Sequence, residues 1–208
     1  MIIAVDGPTA SGKGTISKAL AAHYLLPFLD TGLLYRAVGQ QLALNSGNAD
    51  VAVDALAACT FPDSLLDDAV LRNEEIGGLA SRVSVHPDVR AALNQRQVDF
   101  ANQAGGAVLD GRDIGTVIAP HADVKLFVSA SAEVRAHRRY EEMLSRGLDV
   151  DFDNILADIR KRDERDAGRA EAPLKPAEDA ILLDTGDLTI RVAVQAAIAA
   201  VEARLRAA

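Results

Sequence analysis

Cysteine is almost missing from this chain. Cys59 stands alone in 208 residues, so no intrachain disulfide can form and no cysteine-rich metal site can be built. A reducing compartment fits that usage, and Cys59 itself reads as a small buried apolar side chain. Basic residues are in deficit, 22 Lys and Arg against 30 Asp and Glu. The resulting net charge of −8 argues against sequence-independent binding along nucleic-acid backbones. No apolar stretch approaches the ~20 residues that span a bilayer. No charged segment precedes the first apolar run, so a signal peptide is not expected. Internal repeats and low-complexity segments are lacking too. What these absences leave is a soluble, cytoplasmic chain. It is long enough to bury a full core and reads as one domain with lobes.

What is present begins at the first residues. Met1-Ile2-Ile3-Ala4-Val5 has the look of a buried parallel strand. Ile16, Ala19, Leu20 and Tyr24 then recur at helical spacing. Between them lies Gly7-Pro8-Thr9-Ala10-Ser11-Gly12-Lys13-Gly14-Thr15, with Lys13 directly after the second of two spaced glycines. Strand, glycine loop and helix in that order make a phosphate loop. Backbone N–H groups converge there, the helix N-terminus adds about half a positive charge, and Lys13 adds a full mobile one. The strict pattern puts Ser or Thr next to the lysine as a magnesium ligand. Here Gly14 intervenes and Thr15 carries the hydroxyl. The plainer alternative, a glycine-rich turn, needs strand, spacing, lysine and helix to coincide by accident.

Further strands are expected at Leu25–Leu29, Ala107–Leu109, Val124–Val128 and Ala180–Asp184, alternating with helices. Val70-Leu71-Arg72 reads as another short strand inside a less regular stretch. The rhythm predicts an α/β fold with a mostly parallel sheet covered on both faces. Polar clusters follow two of the strands. Asp30, Thr31, Tyr35 and Arg36 follow one, at the start of a helix from about Leu33; Asp110-Gly111-Arg112-Asp113-Ile114-Gly115 follows the other. Ligands of open α/β sheets bind at that edge, although a plain N-cap or a tight turn would use the same residues. Near Arg146-Gly147 a helix breaks, and in the next one Arg162, Asp166 and Arg169 share a face at i, i+4 and i+7. A solvated, salt-bridged helix is the bland reading. A hinged lid bringing guanidinium groups over a transferring phosphate is the functional one.

These residues together resemble a known family. The Gly-Lys-Gly-Thr form of the loop is similar to that of the nucleoside monophosphate kinases. Asp30-Thr31-Gly32-Leu33-Leu34-Tyr35-Arg36, Asp110-Gly111-Arg112-Asp113-Ile114-Gly115-Thr116 and Arg162-Asp163-Glu164-Arg165-Asp166 with Arg169 resemble the bacterial cytidylate kinases. The likeness runs nearly end to end. It implies a P-loop three-layer fold with a five-stranded parallel sheet. The core would comprise about 1–44, 104–146 and 170–208, with a small nucleotide-binding lobe at about 45–103 and a helical lid at about 147–169. It implies ATP as donor, bound at Gly7 to Thr15, and CMP or dCMP as acceptor. Thr31, Arg36 and Arg112 would lie near the acceptor phosphate, Ser81, Arg90 and Asp113 near the cytosine, and Arg162, Asp166 and Arg169 near the sugar and phosphates. Tyr35 joins the acceptor set, and Lys13, Arg112 and Arg162 would be catalytic. Magnesium would ride on the nucleotide phosphates, with Thr15 and Asp30 as candidate ligands, and the enzyme would act as a monomer. A kinase of another small acceptor (AMP, UMP or shikimate) remains open. A nucleotide-binding switch is a second rival, but the chain has no Asn-Lys-x-Asp guanine-reading motif.

Overall fold

A computed structural model describes residues 1–207. In chain order its elements are β1 (Ile2–Asp6), α1 (Lys13–Tyr24), β2 (Phe28–Asp30), α2 (Thr31–Leu44), α3 (Ala52–Ala57), α4 (Glu74–Val83), α5 (Pro87–Ala101), β3 (Ala107–Gly111), β4 (Val124–Ser129), α6 (Ala132–Ser145), α7 (Phe152–Ala167), β5 (Ile181–Asp184) and α8 (Ile190–Ala207). Two compact units form. One comprises Met1–Leu29 and the chain from Ala101 onward; the other is Asp30–Phe100.

In the first unit the strands make one sheet in the order β2-β3-β1-β4-β5. β1 runs parallel to β3 and β4, and β4 parallel to β5. β3 is buried throughout, and Ile3, Ala4 and Val5 of β1 are fully buried. That explains their near-continuous apolar sequences, since a parallel sheet is covered on both faces. Ile16 and Leu20 of α1 and Ala193, Ala197 and Val201 of α8 pack on Ile3, Val5 and Val128. After β1 the chain goes outward to β2 on one side, and later to β4 on the other. The carboxyl end of β1 is therefore a switch point, where a crevice opens between diverging connections. A separate small core joins Ala136 of α6 to Ile155 and Ile159 of α7.

The second unit is helical. Leu34, Val38 and Leu42 of α2 pack with Val83 of α4 and with Val89 and Leu93 of α5. Ala37, Leu71 and Ile76 close a neighbouring cluster.

Several expected boundaries move, each for a local reason. The second strand starts at Phe28 because Leu25 takes a left-handed conformation (φ 53°) and its N–H closes α1 on Ala21. Val70-Leu71-Arg72 is not a strand but part of a 3₁₀ turn, Ala69–Arg72; the Asp68 carboxylate accepts from the Val70 N–H at its start. α2 begins at Thr31 rather than near Leu33. β3 continues to Gly111, which puts Asp110 inside the sheet instead of in the loop. A single π turn, Ile114–Ile118, follows where no element was expected. The expected lobe starts at about 45, whereas the compact unit starts at Asp30, because α2 packs on α4.

Candidate active site

Two glycines shape the loop after β1. A Cβ on Gly7 would sit 2.1 Å from the Val128 carbonyl oxygen, so the chain can leave β1 this close to β4 only without a side chain. Gly12 caps α1 in the left-handed region (φ 87°), and its carbonyl accepts from the N–H groups of Thr15 and Ile16. Ala10 also takes positive φ (57°), a costly conformation for a residue with a side chain, of the kind that persists at ligand sites. Lys13 opens α1, and its Nζ lies 3.5 Å from Asp110 Oδ1. The register explains the pairing: Val5 sits opposite Asp110 and Asp6 opposite Gly111, so the phosphate loop and the loop after β3 leave the sheet side by side.

A cavity of about 600 Å³ opens beside this loop. Lys13 and Thr15 line it on one side, Arg138 and Arg139 of α6 on another, and Leu188 and Ile190 supply an apolar wall. A nucleotide with charged phosphates and a flat apolar base matches that division.

The loop after β3 holds the second group. Arg112 donates from Nε to Asp166 Oδ2 at 2.9 Å and from Nη1 to the Gly111 carbonyl at 3.1 Å. Arg169 pairs with the other oxygen of Asp166. Asp166 is 2% exposed. Burial pushes its carboxyl up, but Arg112, Arg169 and Arg162 outweigh that and hold it below the usual carboxylate range. Sequence reasoning put Arg162, Asp166 and Arg169 on one face. The structure adds that Asp166 at the centre of that face is buried, that Arg162 and Arg169 are partly covered, and that Arg112 joins Asp166, so these residues do not form a fully solvated helix surface. Asp113 is buried as well, and its carbonyl accepts from the N–H groups of Val117 and Ile118 in the π turn.

Asp6 was not singled out from the sequence. It is buried at the end of β1 and accepts from the Ile114 and Gly115 N–H groups, both at 2.8 Å. Burial raises its carboxyl to about 7. The two N–H bonds oppose that rise, and the charges of Asp113 and Asp110 add to it. A lone acid ending an apolar strand was the available signal.

In the Asp30–Phe100 unit, Thr31 is buried in the first turn of α2. One turn on, Arg36 donates from Nη1 to the carbonyls of Leu71 (2.7 Å) and Asn73 (3.0 Å). Gly77 makes room for it, since a Cβ there would lie 2.8 Å from the guanidinium. The Arg90 guanidinium stands 5.8 Å from the Tyr35 ring centroid, within cation–π range. The Ser81 hydroxyl is buried and makes no hydrogen bond among the described residues. Its neighbour Arg82 grips Asp50 through two nitrogens, an exposed structural pair.

The oxygen donors can be set against a magnesium requirement. Thr15 offers an exposed hydroxyl in the first turn of α1, beside Lys13. Asp110 lies beneath Gly14, where a Cβ would approach its Oδ2 to 3.1 Å. Among the described residues no three His, Cys, Asp or Glu side chains form a cation cage. Such a set suits a hard ion carried mainly by phosphate oxygens and water, as magnesium is, better than an all-protein site.

A family model described as cytidylate kinase matches residues 3–203. A protein called cytidylate kinase in Xanthobacter autotrophicus is 58% identical over 204 residues, covering 98% of both chains. One of the same name in Rhodopseudomonas palustris is 56% identical over 206 residues, covering 98% of this chain and 96% of the relative. One in Caulobacter sp. strain K31 is 56% identical, covering 97% and 94%. A solved structure of an uncharacterized protein from Eubacterium ventriosum covers 98% of each chain at 18% identity with a TM-score of 0.55, a likeness of fold alone.

Proposed function

This chain belongs to the cytidylate kinase family, and we infer that it transfers the γ-phosphoryl group of ATP to CMP or dCMP, giving ADP with CDP or dCDP. The observation that carries the reading is the phosphate loop itself: a lysine held at a helix N-terminus, beside a cavity with one charged and one apolar side.

The chemistry asks for alignment and charge neutralisation rather than a covalent nucleophile. An oxygen of the acceptor 5′-phosphate forms the new bond to the γ-phosphorus while the bridge to the β-phosphate breaks and leaves with ADP. Residues Gly7, Pro8, Thr9, Ala10, Ser11, Gly12, Lys13, Gly14 and Thr15 bind the donor phosphates. Lys13 follows the charge that builds on the leaving oxygens. Thr15 and Asp30 would hold magnesium from the protein side, where the ion would supply positive charge to offset that of the phosphates. Arg112 and Arg162 stabilise the transferring group. Residues of about 147–169 serve as the lid that excludes water.

In the Asp30–Phe100 unit, Thr31, Tyr35 and Arg36 serve the acceptor phosphate end, and Ser81 and Arg90 the cytosine. The buried Ser81 hydroxyl supports that assignment, since it makes no hydrogen bond among the described residues. In the other unit Asp113 accepts from the cytosine 4-amino group, which uracil lacks. Arg162, Asp166 and Arg169 attend the sugar and phosphates. The enzyme works as a monomer in the cytoplasm.

ATP consumption with magnesium against CMP, dCMP, UMP, AMP and GMP tests the reading, with Lys13→Ala as control. Turnover on CMP and dCMP is expected, with a loss on the order of a hundredfold or more in Lys13→Ala. Faster turnover on another acceptor would discard the cytosine assignments. Full activity in Lys13→Ala would discard the phosphate-loop role.

A further inference from the structure

Arg135 has no part in the site as described, yet it is 4% exposed and its guanidinium is heavily engaged. It sits in the first turn of α6. Nε donates to the Ala130 carbonyl at 2.9 Å, just past the end of β4. Nη1 donates to Asp163 Oδ1 at 3.0 Å and to the Thr9 carbonyl at 3.3 Å. Nη2 donates to Asp163 Oδ2 at 2.6 Å. One planar group thus joins three pieces: the sheet edge, the phosphate loop and α7. Asp163 lies next to Arg162, and three residues before Asp166. One turn further along α6, Arg138 repeats the arrangement. It donates to the Thr185 hydroxyl at 3.0 Å, and that hydroxyl donates to the Ser11 carbonyl at 2.9 Å. In a loop whose N–H groups turn toward an anion, carbonyls facing the other way are open to a cation, which can fix the backbone without competing for the ligand.

We propose that Arg135 is a positioning residue for the transfer, holding Asp163 and the Thr9 carbonyl on one guanidinium and so fixing the adjacent Arg162 of α7 in register with the phosphate loop. Only a planar fork does this; a lysine ammonium would keep the charge but could not grip a carboxylate bidentately while donating to two carbonyls. The proposal rests on α7, through Arg162, taking part in the transfer.

The test uses the full chain with kcat and KM measured for both nucleotides in Asp163→Ala, Arg135→Lys, Arg162→Ala and the double variant Asp163→Ala/Arg162→Ala. Misplacing a catalytic group by about 1 Å costs up to ~100-fold. Asp163→Ala is therefore expected to lose roughly tenfold or more in kcat with both KM values within about twofold. Arg135→Lys should match it. In the Arg162→Ala background the same change should cost less than about twofold, because the group being positioned is gone. A loss that multiplies in the double variant overturns the proposal and leaves a merely structural pair. So does an Asp163→Ala enzyme of unchanged kcat beside a crippled Arg162→Ala, with the α7 assignment intact. An Arg162→Ala enzyme of unchanged kcat overturns both. Should the buried Arg135 tolerate no change, Asp163, with 29% of its side chain exposed, decides the matter alone.

Discussion

At the scale of single residues, carboxylates in different surroundings divide the work. Asp166 is kept charged by guanidinium groups, while Asp6 is drawn toward neutrality by burial. The consequence for Asp6 has a definite sign. Its folded value, about 7, lies above the ordinary 3.8. Between about pH 4 and 7 the folded chain holds a proton that the unfolded chain has released, so the Asp6 contribution to stability falls as pH rises through that window. Asp6→Asn removes that dependence. The stability gap between the parent and Asp6→Asn, read from denaturant midpoints, should shrink between pH 5 and pH 7.5; a gap independent of pH would show that Asp6 titrates normally. On the function proposed for this chain, Asp113 bears on specificity instead. Asp113→Asn should reduce the CMP-over-UMP preference by about tenfold, since a hydrogen bond to a charged group is worth ~1.5–3 kcal/mol. An unmoved ratio of kcat/KM values would take Asp113 off the base. Lys13, Arg112 and Asp113 were legible in the sequence because glycine spacing and strand ends mark them. Asp6, Arg135 and Asp163 were not, because nothing local announces that an acid is buried or that an arginine meets a carbonyl more than a hundred residues away.

At the scale of elements, α7 shows how one helix face serves two purposes. Ile155, Ile159, Arg162 and Asp166 follow one another at i, i+4, i+7 and i+11, so they share a stripe. Its first half is apolar and packs on Ala136 and Tyr140 of α6. Its second half is charged and meets Arg112. The apolar half therefore sets where the charged half lies. Ile159→Ala is expected to destabilise the protein by ~2–4 kcal/mol, as a truncation at a buried site does, measured by denaturant unfolding. A change under about 0.5 kcal/mol would mean that the α6–α7 seam is not a packed core. The helical period of this stripe was readable in advance. Its burial at Asp166 was not, because period assigns residues to a face without saying what covers it. The 3₁₀ turn at Ala69–Arg72 carries the same lesson: apolar residues suggested a strand, and an aspartate bonded to the next turn decided otherwise.

At the scale of the whole molecule, the test is binding. A ligand taken up only by the folded state stabilises it by ~2.7 kcal/mol at a hundred times its Kd. CMP at that excess should raise Tm by several degrees, and UMP at the same concentration by much less; equal shifts would mean the base is not read. The sequence by itself determined the alternation of strands and helices, the phosphate loop with Lys13, the buried strands and the family, because these are written in local spacing and in residue types that only one backbone geometry accommodates. It did not determine the sheet order, the pairing of Lys13 with Asp110, the anchoring of Asp6 or the grip of Arg135 on the phosphate loop. Those depend on which strands lie side by side and in what register. That choice is made by burying many apolar surfaces at once, and no single stretch of the chain encodes it.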